Sequence, residues 1–355
     1  MRVKQPAERL VFEQQRLAQL KERRLRVARM GDAVDGAIEK LAALSRGRHL
    51  DQMLFRRRFV YCDEPAPGQP SDRSLPPRLH RPPATRIMSP NGIALRLYLL
   101  GLFEGQAHAH AGKTPANQLP LIAAGGEIGW TDLIAVPFQT QRKAQHVSAP
   151  SGHGMKPRNR AVSSRNDKKK RRIVSALRVL SGEDVGLVYL PGASNATRKY
   201  ERFQLLDEGG TRAHADASPY VVPQRHDTGV FGLPAGLFTN GWIHLLEDSE
   251  LTFLMMLADW TQNVQAQVDE VDIPGETRLL HYGVGWDAYE ANMVLHRFGL
   301  IEVNEQERHE DGRIVGFTGE TERHGLCLVT AGFDEPAVAT IVQALASQPP
   351  RSRDS

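Results

Sequence analysis

Between residues 248 and 317 the chain spells an order of elements that few folds accommodate: helix, helix, short turn, helix, two-stranded hairpin. Asp248-Ser249 is an N-cap signal, and ELTFLMMLADWTQN (250–263) follows as a helix apolar almost all the way round, hence central and buried. Pro274 stands in the first turn of a second helix, PGETRLLHYG, which Gly283 ends. After the turn Tyr282–Gly285, a third helix, WDAYEANMVLHRFG, has Tyr289, Met293, Val294 and Leu295 on its inner side and Gly299 as its cap. Leu300–Val303 alternates as a strand, the polar loop Asn304–Arg313 turns the chain, and Ile314–Phe317 returns.

The stretch HYGVGWDAYEANMVLHRFGLIEV, preceded by LP…F…GW…L…D.E, resembles the winged helix-turn-helix family, in particular the winged-helix proteins of actinobacterial plasmids and mobile elements. The resemblance covers about 90 residues and implies a small helical fold with a β-hairpin wing; it fixes fold more than function. In such proteins the third helix enters the major groove and Arg, Lys, Asn or Gln read base edges. Here that helix offers Asp287 and Glu290 near its start and Arg297 only at its end. The wing carries Glu302, Glu305, Glu307, Glu310 and Asp311 against Arg308 and Arg313. Phosphates repel such a face, so this module is read as a protein-contact or structural unit.

Charge divides the rest of the chain. The formal net charge of +4 combines −12 over residues 229–320 (16 acidic, 4 basic), −1 over 321–355 and +17 over 1–228. A basic half of that size suits a polyanion, with a solubilising imbalance as the alternative. At 355 residues the chain has room for two or three domains, each large enough to bury a core. Cys62 and Cys327 form no CxxC pair and no disulfide framework. The N-terminus has no apolar core of a signal peptide, and no apolar run reaches the ~18 residues of a membrane span, so a cytoplasmic protein without membrane contact is expected.

Residues 1–61 form a helical arm, with a long helix over 7–45 whose broken heptad seam is Leu10, Leu17, Leu20, Val27, Val34, Ile38 and Leu41. It serves either as a homodimer or DNA-backbone arm or as a helix packed on its own domain. Seven prolines make 62–86 a linker. A basic module spans 87–208, a second linker 209–228, an acidic winged-helix module 229–346 and a disordered tail 347–355. In the basic module Ser89-Pro90 opens a helix, Leu133–Val136 is a short helix, and 139–166 is a polar insertion. Asp167 then caps KKKRRIVSALRVL, and Leu187–Leu190 and Tyr200–Leu206 form a hairpin. This repeats the order of the acidic module, which makes it a second, degenerate winged helix. The fold class is thus mainly α with small β-hairpin wings.

Residues 156–172 hold nine Lys/Arg and one Asp. With Ile173, Ala176, Leu177 and Leu180 inward, Lys168, Lys169, Arg172, Ser175 and Arg178 point largely outward, and Lys170 and Arg171 add to the basic run. The wing adds Asn195, Thr197, Arg198 and Lys199. A basic helix with a basic wing places one element in the groove and the other along the backbone; a solvated basic face is the alternative. Gly112-Lys113-Thr114 has the tail of a phosphate-binding loop, but Ala107 stands where its first glycine belongs. His108, His110, His146 and His153 lack nearby cysteines, and the four tryptophans read as core anchors. No catalytic motif and no cofactor is expected. The expected function is sequence-specific binding of double-stranded DNA by a transcriptional regulator. The alternatives are a replication initiator or accessory protein of a plasmid-like element, and a protein-binding scaffold.

Overall fold

The computed structural model describes residues 6–45, 50–64, 74–90, 92–123, 125–135, 165–191, 199–212, 218–265, 270–304 and 325–347. Over these residues the protein is mainly helical, with three two-stranded antiparallel sheets. The first elements are α1 (Pro6–Ser45), β1 (Gln52–Arg56), α2 (Pro83–Arg86), α3 (Ala94–His108), α4 (Arg165–Leu180), β2 (Val188–Tyr189), β3 (Gln204–Leu205) and β4 (Val230–Pro234). Then come α5 (Gly236–Thr239), α6 (Trp242–Leu245), α7 (Asp248–Asn263), α8 (Gly275–Leu280), α9 (Trp286–Tyr289) and α10 (Ala291–Arg297). The hairpin β5 (Ile301–Asn304) and β6 (Gly325–Leu328) precedes the last helix, α11 (Ala337–Ala346). No helix among the described residues is long and apolar enough to cross a membrane.

From Arg23 onward, α1 buries positions 23, 27, 30, 34, 37, 41 and 44, a strict alternation of four and three. Such a stripe keeps one face of a helix against a neighbour along its length. Val27, Val34 and Leu41 were legible in the sequence as seam residues; Leu17 is exposed, Leu20 and Ile38 are partly buried, and the side chain of Leu10 lies outside the described residues. The neighbour is the chain's own α11, with α3 and α5 beside it. Of the two expectations for this helix, packing on its own domain is the arrangement seen over 23–44. Arg23 sits in the stripe because Glu250 meets it: the two η nitrogens donate to the two carboxylate oxygens at 2.5 and 2.7 Å. The same Glu250 carboxylate accepts from the Glu247 backbone N–H at 2.8 Å, closing a capping box at the start of α7. One side chain thus caps α7 and anchors α1.

β1 pairs with β4, placing Met53 opposite Leu233 and Phe55 opposite Phe231. The alternate residues Met53 and Phe55 are buried, as strand geometry requires when one face meets a core. The pairing ties the chain before the proline-rich segment to the entry of the acidic half. That segment is itself packed, since Pro83–Arg86 are buried and Cys62 exchanges hydrogen bonds with His281. The buried hydrophobic residues of both halves form one cluster, running from Val27 through α3, α4 and α7 to α11.

In the second half, α7 is buried on nearly all sides, as its sequence requires. Its cap is Glu247, one residue before the Asp248-Ser249 signal, because Glu250 completes a box only with residue 247. The expected third helix is broken at Glu290 into α9 and α10. Leu295 is buried, but Met293 is 53% exposed and turned away from the core, contrary to expectation. The break shifts the angular register, so 291 and 295 are the positions facing inward. β5 pairs with β6, which is 325–328; the expected return strand 314–317 lies outside the described residues. Val271 bridges Leu326 from the other side, with two backbone hydrogen bonds of 2.9 Å, adding a third extended segment.

In the first half α3 starts at Ala94, not at Ser89-Pro90. The Ser89 carbonyl and hydroxyl both accept from the Gly92 N–H, which closes a turn there. Residues 133–135 are not helical, and 136 lies outside the described residues. The expected short helix is replaced by a turn at 130–132, held by Trp130 and Thr131 backbone bonds to Pro120 and Leu121. Trp130, Trp242 and Trp260 are buried, whereas Trp286 is 65% exposed and no core anchor.

Candidate nucleic-acid interface

α4 packs on α3 through Ile173, Ala176, Leu177 and Leu180, all buried as expected. Asp167 lies in its first turn, where a carboxylate suits the helix dipole. The opposite face carries Lys168, Arg171, Arg172, Ser175 and Arg178, all exposed and spaced three or four residues apart apart from the adjacent pair 171/172. They form one outward row two turns and more in length. Lys170 is half-buried. Lys169 departs from the expected outward set: its Nζ donates to the Thr131 carbonyl at 2.8 Å, joining α4 to the turn that replaced the short helix.

At the far end of the row, Arg178 Nε donates to the Tyr200 hydroxyl at 2.9 Å and its guanidinium lies over the ring. Lys199 Nζ is 5.1 Å from the same ring. The Arg178 hydrogen bond draws the Tyr200 phenol below its ordinary pKa, overcoming a small burial effect, and the charges of Arg178 and Lys199 add to it. Tyr200 thereby pins the hairpin side of the module to the end of α4. Asn195, Thr197 and Arg198 lie outside the described residues.

A groove of about 460 Å³ flanks α4. One wall is Arg172, Ser175, Ala176 and Val179 of the helix; the other comes from the proline-rich segment, with Arg78, Arg81 and Arg86. Reading 62–86 as a linker hides these arginines. The signal is present in RLHRPPATR, where prolines stiffen a backbone carrying three cations.

The matching face of the acidic half is different in kind. α9 and α10 present Trp286, Glu290, Met293 and His296 outward. Arg297 is turned to α11, its Nε donating to the Ala344 carbonyl at 2.8 Å. Arg278 stacks on Tyr289, with its guanidinium 3.8 Å from the ring centroid. Arg16 of α1 reaches the Met293 sulfur at 3.6 Å, so α1 runs beside this helix. The side chain of Asp287 and the wing residues 305–313 lie outside the described residues.

Among the described residues no group of three His, Cys, Asp or Glu is placed to hold a metal ion. His108 Nδ1 faces the Glu104 carbonyl at 3.0 Å; His146 and His153 lie outside the described residues. Gly112 occupies a turn beyond α3, with φ of 76° and its N–H given to the Val222 carbonyl at 2.8 Å, so its backbone cradles no phosphate. The chain matches no family model, no curated protein and no solved structure, so the chemistry of this face rests on the residues just described.

Proposed function

We propose that the protein has two winged-helix-like modules and binds double-stranded DNA sequence-specifically through the basic one, α4 being the reading helix and the β2–β3 hairpin its wing. The observation that carries this is the outward row of α4, where four exposed cations and a serine stand on one face over a buried apolar row. That arrangement supplies both phosphate neutralisation and side chains able to reach base edges. In the acidic half, the order α7, Val271, α8, α9–α10, β5, β6 with Val271 bridged to β6 supports a winged-helix module. Its outward Trp286, Glu290 and Met293 suit a protein partner better than a phosphate backbone.

A transcriptional regulator is the first reading. One observation favours the alternative of a replication initiator: over 23–44 the stripe of α1 is buried against the chain's own α11, α3 and α5, so that stretch is not free to zip two copies together. A monomer does not impose a palindrome on its site. Selection of bound duplexes from a random pool separates these readings, a regulator yielding palindromes and an initiator direct repeats.

The reading itself is tested by fluorescence anisotropy on a duplex over a salt range. Six to ten neutralised phosphates make wild-type affinity fall by roughly 10³–10⁵ between 50 and 200 mM salt. Lys168→Glu with Arg172→Glu is expected to lower affinity more than a hundredfold at constant salt. Unchanged binding by this variant would remove α4 as the reader, and a wild-type chain with no salt-sensitive binding would leave the scaffold reading.

A further inference from the structure

The groove beside α4 has a composition that the reading helix does not explain. Arg78, Arg81, Arg86 and Arg172 line it and no carboxylate does, although Arg86 is itself buried and donates to the Arg81 and Asp184 carbonyls. Asp184 pairs with Arg78 at 3.3 Å, and Asp248 accepts from the backbone N–H of Ser89, another lining residue, at 3.0 Å. Among the described residues this leaves Arg81 and Arg172 on the groove without a carboxylate partner, an arrangement that a bound anion would relieve. Burial, together with the charge of Arg78, makes the Arg81 guanidinium a weaker base than usual.

The wall is also pre-formed. Arg78 Nε donates to the Arg86 carbonyl at 3.2 Å, Arg86 Nε to the Arg81 carbonyl at 2.6 Å and Arg81 Nε to the Pro76 carbonyl at 2.7 Å. Each of the three arginines is therefore held by its Nε to a backbone carbonyl of the same segment. Among the described residues, Arg172 has no hydrogen-bond or ion-pair partner, and the η nitrogens of Arg81 have none. Gly283, at φ of 65°, backs the segment so closely that a Cβ would lie 2.9 Å from Thr85 Oγ1 and 3.2 Å from Arg81 Cβ. The acidic half thus buttresses a basic wall.

We propose that this groove seats a phosphate of the DNA backbone, so that the proline-rich segment clamps the strand flanking the groove that α4 enters. The proposal rests on α4 being the reader, since Arg172 belongs both to the outward row and to the groove and places the two contacts on one duplex. Planar guanidiniums grip a phosphate through paired N–H donors, and such contacts fix register without reading sequence.

The test uses the full chain. Arg78→Gln with Arg81→Gln removes two charges from the proline-rich wall, and Arg78→Lys with Arg81→Lys keeps them. Losing one phosphate contact lowers the slope of log affinity against log salt by about 0.9, with an affinity loss of about tenfold near physiological salt. The glutamine pair is expected to show both losses with an unchanged ranking of duplex sequences, and the lysine pair to recover most of the slope. If the glutamine pair fails to fold, Arg81→Gln alone carries the test, because Arg81 makes no ion pair. A glutamine variant with wild-type slope and affinity, while Lys168→Glu/Arg172→Glu still loses binding, overturns the clamp and leaves the α4 reading standing. A wild-type chain that binds no duplex overturns both.

Discussion

Glu208 is a residue on which burial and pairing pull in opposite directions. Its side chain is fully buried, with Arg56 donating from Nη1 at 2.8 Å and from its backbone N–H at 2.9 Å. Burial pushes its carboxyl up to about 7 from an ordinary 4.5, against the pull of Arg56. The folded state therefore holds this proton more tightly than the unfolded chain. Between pH 4.5 and about 7 the unfolded chain releases it first, so this group's contribution to stability falls as pH rises through that window and is level above it. A shift of this size corresponds to something on the order of 3 kcal/mol. The stability difference between wild type and Glu208→Gln is expected to shrink by that order from pH 4.5 to 7 in urea titrations; a pH-independent difference would show that pairing, not burial, sets the group. None of this is legible in the sequence, where Glu208 is one acid beside two glycines. Burial depends on what the remainder of the chain packs over it.

At the scale of elements, helix formation was the most legible property. The span 7–45 read from composition and spacing is α1 within a residue, and 250–263 is α7 with two residues added at its start. Periodicity is local, so a short window contains it. What fails locally is register: the seam of α1 passes through Arg23, Met30, Ala37 and Leu44, which apolar counting passed over. Arg23 is admitted to that seam only by Glu250, far away in sequence. Two glycines inside α1 give a test of how far the helix is limited by its own backbone. A Cβ at Gly31 meets Val338 Cγ1 at an ordinary 3.8 Å, and at Gly36 it meets nothing within 4 Å. Gly31→Ala and Gly36→Ala are each expected to stabilise the protein by roughly 0.5–1 kcal/mol, read as a raised Tm. A lowered Tm for Gly36→Ala would mean that position 36 needs a conformation other than helix.

For the whole molecule, the β1–β4 pairing and the contact of α1 with α11 join the first sixty residues to the acidic half. Cutting the chain between the halves exposes one strand edge and one apolar stripe on each side. Calorimetry is therefore expected to record one cooperative unfolding transition, and fragments 1–208 and 209–355 are expected not to fold alone; two resolved transitions or a folded fragment would contradict this. The same arrangement changes the meaning of the charge split. Arg23, Arg26, Arg57 and Arg96 of the basic half pair with Glu250, Glu247, Asp259 and Asp248 of the acidic half, so part of the imbalance is neutralised inside the molecule. The outward row of α4 is not part of that neutralisation. By itself the sequence determined the long helices α1, α4 and α7 and that positive charge concentrates around α4, because periodicity and charge are properties of neighbouring positions. Only the tertiary structure decided which cations are consumed in ion pairs and which stand outward, that 23–44 of α1 packs on its own chain, and that a proline-rich stretch brings arginines beside α4. Those outcomes depend on contacts between residues distant in sequence, whose burial and pairing no local pattern encodes.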